Sequence, residues 1–84
     1  MIGRSNVRFA DLKQLLMDLG FTSYRKDRFW IFKHETSEAL FAFRAYRSNE
    51  RVTLRDLRSV QVQLDWRGMM SEKTFDDYLH KATA

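Results

Sequence analysis

Non-polar and aromatic residues in the middle of the chain alternate between two faces with a period of two, which is typical of β-strands. One such run covers residues 29–33 and another covers residues 40–46, and the polar stretch 34–38 separates them. Aromatic and branched side chains favour strands. The pattern therefore predicts a β-hairpin. Residues 22–26 predict one more strand, which leads into the hairpin through the polar turn at 26–28.

The residues before this predicted sheet have the spacing of an amphipathic helix. Non-polar residues fall within an arc of about 120° on one helical face, at Phe9, Leu12, Leu15, Leu16 and Leu19. Ser5 or Asn6 is predicted to cap the start of this helix. Gly20 is predicted to end it, because a glycine readily adopts the left-handed conformation that terminates helices.

Two further helices are predicted after the sheet. Thr53 followed by Asp56 is similar to a capping box and starts a long helix, and Ser71 is predicted to cap a short final helix. The chain therefore predicts a single α+β domain over residues 1–84. Its elements are a helix, a three-stranded antiparallel meander, then one long and one short helix, with the helices packed on one sheet face.

Both faces of the predicted sheet are rich in non-polar side chains. If Trp30 and Phe32 face the helices, alternation places Phe29 and Ile31 on the opposite face. A sheet that is non-polar on two sides needs a cover on the second side as well. The C-terminal segment, a second copy of the chain, giving a homodimer, or a ligand could supply that cover.

Charge is concentrated in the same central region. The 84 residues carry a formal net charge of +4, and residues 25–58 hold nine basic against five acidic residues, so this segment alone accounts for +4. Basic residues interleaved with aromatic ones are typical of a nucleic-acid footprint. The alternative is that the charge serves only solubility.

The predicted RNA contacts fall into three groups. Phosphate contacts are predicted at Arg25, Lys26, Arg28, Lys33, Arg44 and Arg47. Phe29 or Trp30 is predicted to stack on a base. Arg51, Arg55 and Arg58 are predicted to form a basic stripe on the second helix, or else a solvated face that nearby acidic residues partly neutralise.

His34 is the candidate catalytic residue. Lys33, Glu35 and Arg44 are predicted to lie beside it, where they could orient an imidazole and hold a phosphate for acid–base cleavage of RNA. The alternative is a partly exposed turn histidine without a catalytic role.

Other chemistry is less favoured by the sequence. There is no cysteine and there are only two histidines, so neither a metal site nor a cofactor is predicted. No run approaches the roughly 20 non-polar residues of a membrane span. The N-terminal residues lack the pattern of a secretory signal, so we expect a soluble cytoplasmic protein.

Several short stretches also follow one another as they do in a known family, at 11–16 (DLKQLL), 19–21 (LGF), 31–34 (IFKH), 53–55 (TLR), 68–69 (GM) and 71–72 (SE), with Phe75 after them. Together they resemble the HicA family of small toxins from type II toxin–antitoxin systems. The resemblance implies a double-stranded-RNA-binding-like fold, mRNA cleavage by a single histidine and neutralisation by a HicB-like antitoxin protein. Phe29 aligns with the catalytic histidine of the family, and Glu35 aligns with a proline that commonly follows a second histidine.

Three functions follow from these patterns. The leading hypothesis is a HicA-like domain that binds RNA or a toxin–antitoxin partner without the usual ribonuclease histidine. The second is an active mRNA interferase that uses His34. The third is a protein-interaction module that pairs through the second sheet face.

Overall fold

The computed structural model describes the backbone of residues 4–83 and the side chains of residues 5–80. The fold is α+β, as predicted. Its elements are β1 (Arg4–Arg8), α1 (Phe9–Asp18), β2 (Thr22–Lys26), β3 (Phe29–Lys33), β4 (Leu40–Arg44), β5 (Arg51–Thr53), α2 (Leu54–Trp66) and α3 (Glu72–Thr83). The predicted short final helix, α3, has 12 residues and the long helix, α2, has 13.

The central sheet is the predicted antiparallel meander, with the strand order β2-β3-β4. Lys26 pairs with Phe29, so the turn between β2 and β3 holds only two residues. Asp27 occupies that turn with a φ of 56°, a left-handed conformation that aspartate tolerates better than most residues.

A second, two-stranded sheet pairs β1 with β5 and was not predicted. The predicted cap at Ser5 or Asn6 is wrong, because both residues lie in β1. The Ser5 hydroxyl donates to the Val52 carbonyl at 2.7 Å and accepts from the Val7 N–H at 3.1 Å. Arg8 occupies the cap position of α1 and makes no side-chain capping bond.

The predicted end of α1 and start of α2 are both confirmed. Gly20 has a φ of 98°, and the Phe21 N–H donates back to the Leu16 carbonyl at 3.0 Å. At α2, the Thr53 hydroxyl accepts from the Asp56 N–H at 3.2 Å. Glycine and threonine therefore have the capping roles that the sequence indicated.

The core lies between the helices and the inner face of the meander. Phe9, at the start of α1, contacts the rings of Trp30, Phe32, Phe43 and Tyr46 at centroid distances of 5.3–6.2 Å. α3 docks through the buried side chains Phe75 and Leu79. Within residues 4–83, no helix combines the length and non-polar composition that crossing a membrane requires.

Candidate nucleic-acid interface

The outer face of the meander, turned away from the core, is called the open face. Alternation and strand register assign nine residues to it: Thr22, Tyr24, Lys26, Phe29, Ile31, Lys33, Leu40, Ala42 and Arg44. In each strand the intervening residues point toward the helices, and Phe32, Phe41 and Phe43 are buried there. The predicted division of the sheet into an inner and an outer face is therefore confirmed.

The register arranges the open face into three rows that run across the strands. The first row is Lys26, Phe29 and Arg44, the second is Tyr24, Ile31 and Ala42, and the third is Thr22, Lys33 and Leu40. Side chains in neighbouring strands of one row lie about 5 Å apart. Phe29 thus stands between two cations.

The open face exposes large non-polar groups. Tyr24 is 48% exposed, Phe29 is 50% exposed and Leu40 is 58% exposed, while Ile31 is half-buried among them. No described segment of the chain covers these residues. A contiguous exposed non-polar patch of this kind marks an interaction surface more often than an isolated exposed side chain does.

Charge on the open face has a single sign. Lys26, Lys33 and Arg44 are exposed and no acidic residue occupies any of the nine positions. The Arg44 guanidinium lies 5.5 Å from the ring centroid of Tyr46, a core residue in the loop that follows β4. Because unopposed cations surround exposed rings, the face is suited to a partner that is both anionic and aromatic.

Trp30 does not belong to the open face. Its ring lies on the inner side, 5.8 Å from the ring of Phe9, and its Nε1 is buried without a hydrogen-bond partner among the described residues. Lys13 Nζ and the Arg25 guanidinium lie over the ring at 4.3 Å and 5.3 Å. Of the two predicted stacking residues, only Phe29 therefore offers an uncovered ring.

Tyr24 takes the place of the predicted Trp30 as the second candidate stacking residue, beside Phe29. It lies one row from Phe29 and one strand away. Neither ring contacts another aromatic ring in the described part of the chain. The sequence signal for Tyr24 is strand alternation, which places it on the same face as Lys26, two residues later.

Two further predicted cations, Arg28 and Arg47, lie in the connections that flank the strands. Arg28 is in the turn between β2 and β3, directly before Phe29. Arg47 is exposed in the loop after β4, where its N–H donates to Glu50 Oε1 at 3.1 Å. Arg25 lies over the Trp30 ring on the inner side, and Asp27 and Glu50 are the acidic neighbours of Arg28 and Arg47. These three predicted cations therefore lie outside the open face.

Arg51, Arg55 and Arg58 do not form a stripe on one helix, and this prediction is wrong. Arg51 lies in β5, because the helix begins only after the Thr53 cap. Arg55 and Arg58 lie on α2 and line a groove that α3 also lines, with Glu72 and Asp76. Their surroundings therefore carry both signs of charge, unlike the open face.

His34 lies in the loop that follows β3, against the backbone of Gly20 and 5.1 Å from the ring of Phe21. Its Nδ1 accepts a hydrogen bond from the Ser37 N–H at 3.2 Å and lies 2.9 Å from the Ser37 hydroxyl. Because Nδ1 accepts, the neutral ring carries its proton on Nε2.

The predicted cluster of His34 with Arg44 is wrong. Arg44 pairs with Phe29, at the other end of β3 from Lys33, a distance of about 13 Å along the strand. Lys33 points to the open face whereas His34, the next residue, points to the opposite side.

Comparisons with known proteins give no match: no family model, no curated protein and no solved structure is similar to this chain. The resemblance to HicA toxins therefore stays a prediction from short stretches of sequence. The function has to be argued from the open face itself.

Proposed function

We propose that this protein binds single-stranded RNA across the open face. The observation that supports this most directly is the first row, in which the exposed ring of Phe29 stands between Lys26 and Arg44 with no acidic residue on the face. Unpaired bases stack on aromatic rings while cations hold the adjacent phosphates.

The geometry of the rows favours an unpaired strand over a duplex. Successive rows are about 7 Å apart along the strands, and Phe29 and Tyr24 present one ring each in the first two rows. Two neighbouring bases could stack on these rings only if their own faces are free. Bases inside a duplex are already stacked on each other, so they could not use the rings.

Fluorescence anisotropy with a labelled oligouridine of about ten nucleotides tests the proposal. We expect binding at about 50 mM salt that weakens markedly at about 200 mM. The same strand annealed to its complement should bind more weakly. Absence of binding to the single strand at low salt overturns the proposal, and tighter binding to the duplex overturns the single-strand assignment.

The substitution Phe29→Ser tests the stacking contact. Loss of one base–aromatic stack should weaken binding between about fivefold and about a hundredfold. Trp66→Ser is the matched control, because Trp66 is 80% exposed on α2 and is not one of the nine residues of the open face. Equal effects of the two substitutions would contradict binding through the open face.

The open face could instead bind a protein partner or a second copy of the chain. Light scattering of the wild type and of Phe29→Ser separates it from RNA binding. A dimer that Phe29→Ser dissociates, without measurable affinity for oligouridine, would overturn the proposal and assign the face to self-association.

A second candidate function is RNA cleavage by His34, as in a HicA-like interferase. Ser37 orients the ring and fixes its neutral tautomer, which is the kind of positioning that a catalytic histidine requires. We expect any such cleavage to disappear in His34→Ala while binding at Phe29 persists. RNA that stays intact with the wild-type protein would exclude this function.

A further inference from the structure

The second surface of interest is a groove of about 460 Å³ between α2 and α3. Leu54, Leu57 and Phe75 supply its non-polar lining. Phe75 is buried, Leu57 is half-buried and Leu54 is 53% exposed. The volume lies within the range of sites that hold small ligands or peptide side chains, and the groove shares no residue with the open face.

Charges of opposite sign border the groove. α2 contributes Arg55 and Arg58, whereas α3 contributes Glu72 and Asp76, and all four are exposed. None of them takes part in an ion pair within the described part of the chain. The cations and carboxylates therefore remain available to groups that enter the groove.

Gln61 gives the groove a polar group that has no hydrogen-bond partner among the described residues. It is only 7% exposed and lines the groove, yet its side-chain amide makes no hydrogen bond to any described residue. Neither amide atom is sealed from solvent, since Trp30 Nε1 is the fully buried unpaired atom in this part of the chain. The amide therefore meets solvent in the groove, where the polar groups of a ligand can replace water as its hydrogen-bond partners.

The chemistry of these groups specifies a ligand. A glutamine amide offers a donor and an acceptor side by side, which complements the C=O and N–H of a peptide backbone. The arginines of α2 suit a carboxylate, and the acidic residues of α3 suit an ammonium group. Leu54, Leu57 and Phe75 suit one non-polar side chain.

We propose that the groove binds a short peptide segment of a partner protein, in which a non-polar residue lies between an acidic and a basic residue. The backbone of the segment pairs with the Gln61 amide. Its carboxylate lies near Arg55 and Arg58, and its ammonium group lies near Glu72 and Asp76. This site is independent of RNA binding at the open face.

NMR titration of the isotope-labelled full chain with the acetylated and amidated peptide Gly-Asp-Leu-Lys-Gly tests the proposal. We expect amide shifts confined to α2 and α3, with a Kd at or below about 1 mM. The peptides Gly-Ser-Leu-Ser-Gly and Gly-Asp-Ser-Lys-Gly should bind about tenfold more weakly. Equal affinities for the three peptides, shifts centred on the open face, or no shifts at about 1 mM overturn it.

Two substitutions on α2 form a matched pair for the same titration. Gln61→Met removes the amide that faces the groove, and Gln63→Met removes an exposed amide two residues away. We expect the first to weaken peptide binding about tenfold and the second to leave it unchanged. If Gln61→Met does not fold, Arg58→Gln takes its place, because Arg58 is exposed. Unchanged binding in the folded groove variant overturns the proposal.

Discussion

The hydroxyl of Tyr46 ties the start of α2 to the loop before β5. Tyr46 is buried, and its hydroxyl donates to the Asp56 carboxylate while it accepts from the Thr53 N–H at 3.2 Å. In a capping box, the side chain at the position of Asp56 would accept that N–H itself. Here the aspartate accepts from the tyrosine hydroxyl, and the tyrosine accepts the N–H instead.

The substitution Tyr46→Phe should therefore lower the free energy of unfolding by about 1–3 kcal/mol, because it leaves the Thr53 N–H without its partner. Urea unfolding followed by circular dichroism measures the change. Tyr24→Phe is the control, since Tyr24 is about half exposed on the open face (48%) and should change stability little. Similar losses in the two variants would show that the buried hydroxyl has no special role.

The Thr53 cap was predictable from sequence because its partner is three residues away in the same chain segment. The contact to Tyr46 was not, because that residue is seven positions earlier in a loop whose path no local pattern determines. The alternating pattern places Tyr46 in a strand, whereas β4 ends before it, at Arg44.

At the scale of one element, α1 ends at a glycine whose replacement is disfavoured by its left-handed backbone and by the limited space around it. Gly20 has a φ of 98°, and a Cβ there would lie 3.3 Å from His34 Nε2. Gly68, which follows α2, has a φ of 70° and no atom within 4 Å of such a Cβ. The two positions thus share a left-handed backbone and differ in their surroundings.

We expect Gly68→Ala to cost about 1–2 kcal/mol from the backbone conformation alone. Gly20→Ala should cost more, because its methyl group also displaces the His34 ring. Urea unfolding of Gly20→Ala with and without His34→Ala isolates the contact, since the double variant should recover the excess. A cost at Gly20 no larger than that at Gly68 would contradict this.

The attachment of α3 to α1 should depend on pH. The Tyr78 hydroxyl donates to the Asp18 carboxylate at 2.8 Å. This bond, with a smaller contribution from Gln14, holds the pKa of Asp18 below its usual value. The same bond raises the pKa of Tyr78 above its usual value. A lowered carboxyl pKa stabilises the fold above about pH 3.9 and a raised phenol pKa stabilises it below about pH 10.

The free energy of unfolding should therefore be lower in Tyr78→Phe than in the wild type by a constant amount between about pH 5 and pH 9. The difference should shrink as the pH falls through the pKa of Asp18, and again as it rises through that of Tyr78. Urea unfolding across this range measures it. A difference that is the same at about pH 3 as at neutral pH would show that the hydrogen bond does not link the two titrations.

The elements that sequence reasoning identified are those with a long periodic pattern. The alternation of residues 29–33 and 40–46 predicted the meander, and the spacing of Leu12, Leu15 and Leu16 predicted α1. β5 was missed because it has only three residues, and β1 was missed because its five residues contain one non-polar side chain and so show no alternation. Ser5 and Asn6 also have strong capping preferences, which favoured a helix start. Only the pairing of Arg4–Arg8 with Arg51–Thr53, across most of the chain, makes them strands.

For the whole molecule, the total charge indicated the binding surface less well than the distribution of charge did. The count of nine basic residues in 25–58 could not separate the cations of the open face from Arg55 and Arg58, which share a groove with Glu72 and Asp76. The second non-polar face of the sheet was predictable, because strand alternation alone assigns Phe29 and Ile31 to it. Whether this face is exposed depends on where α3 docks, and the periodicity of the sequence does not determine the docking position.

If the open face binds RNA as proposed, the salt dependence of the affinity should reflect the number of cations on that face. Each phosphate contact to a single strand contributes about −0.7 to the slope of log K against log salt. Lys26, Lys33 and Arg44 would therefore give a slope of about −2 or steeper.

The substitution Lys33→Gln should make the slope shallower by about 0.7. Lys73→Gln changes an exposed lysine on α3 and should leave the slope unchanged. Anisotropy titrations at four salt concentrations measure both slopes. A slope that changes equally in the two variants would mean that RNA responds to the net charge of the protein and not to the open face.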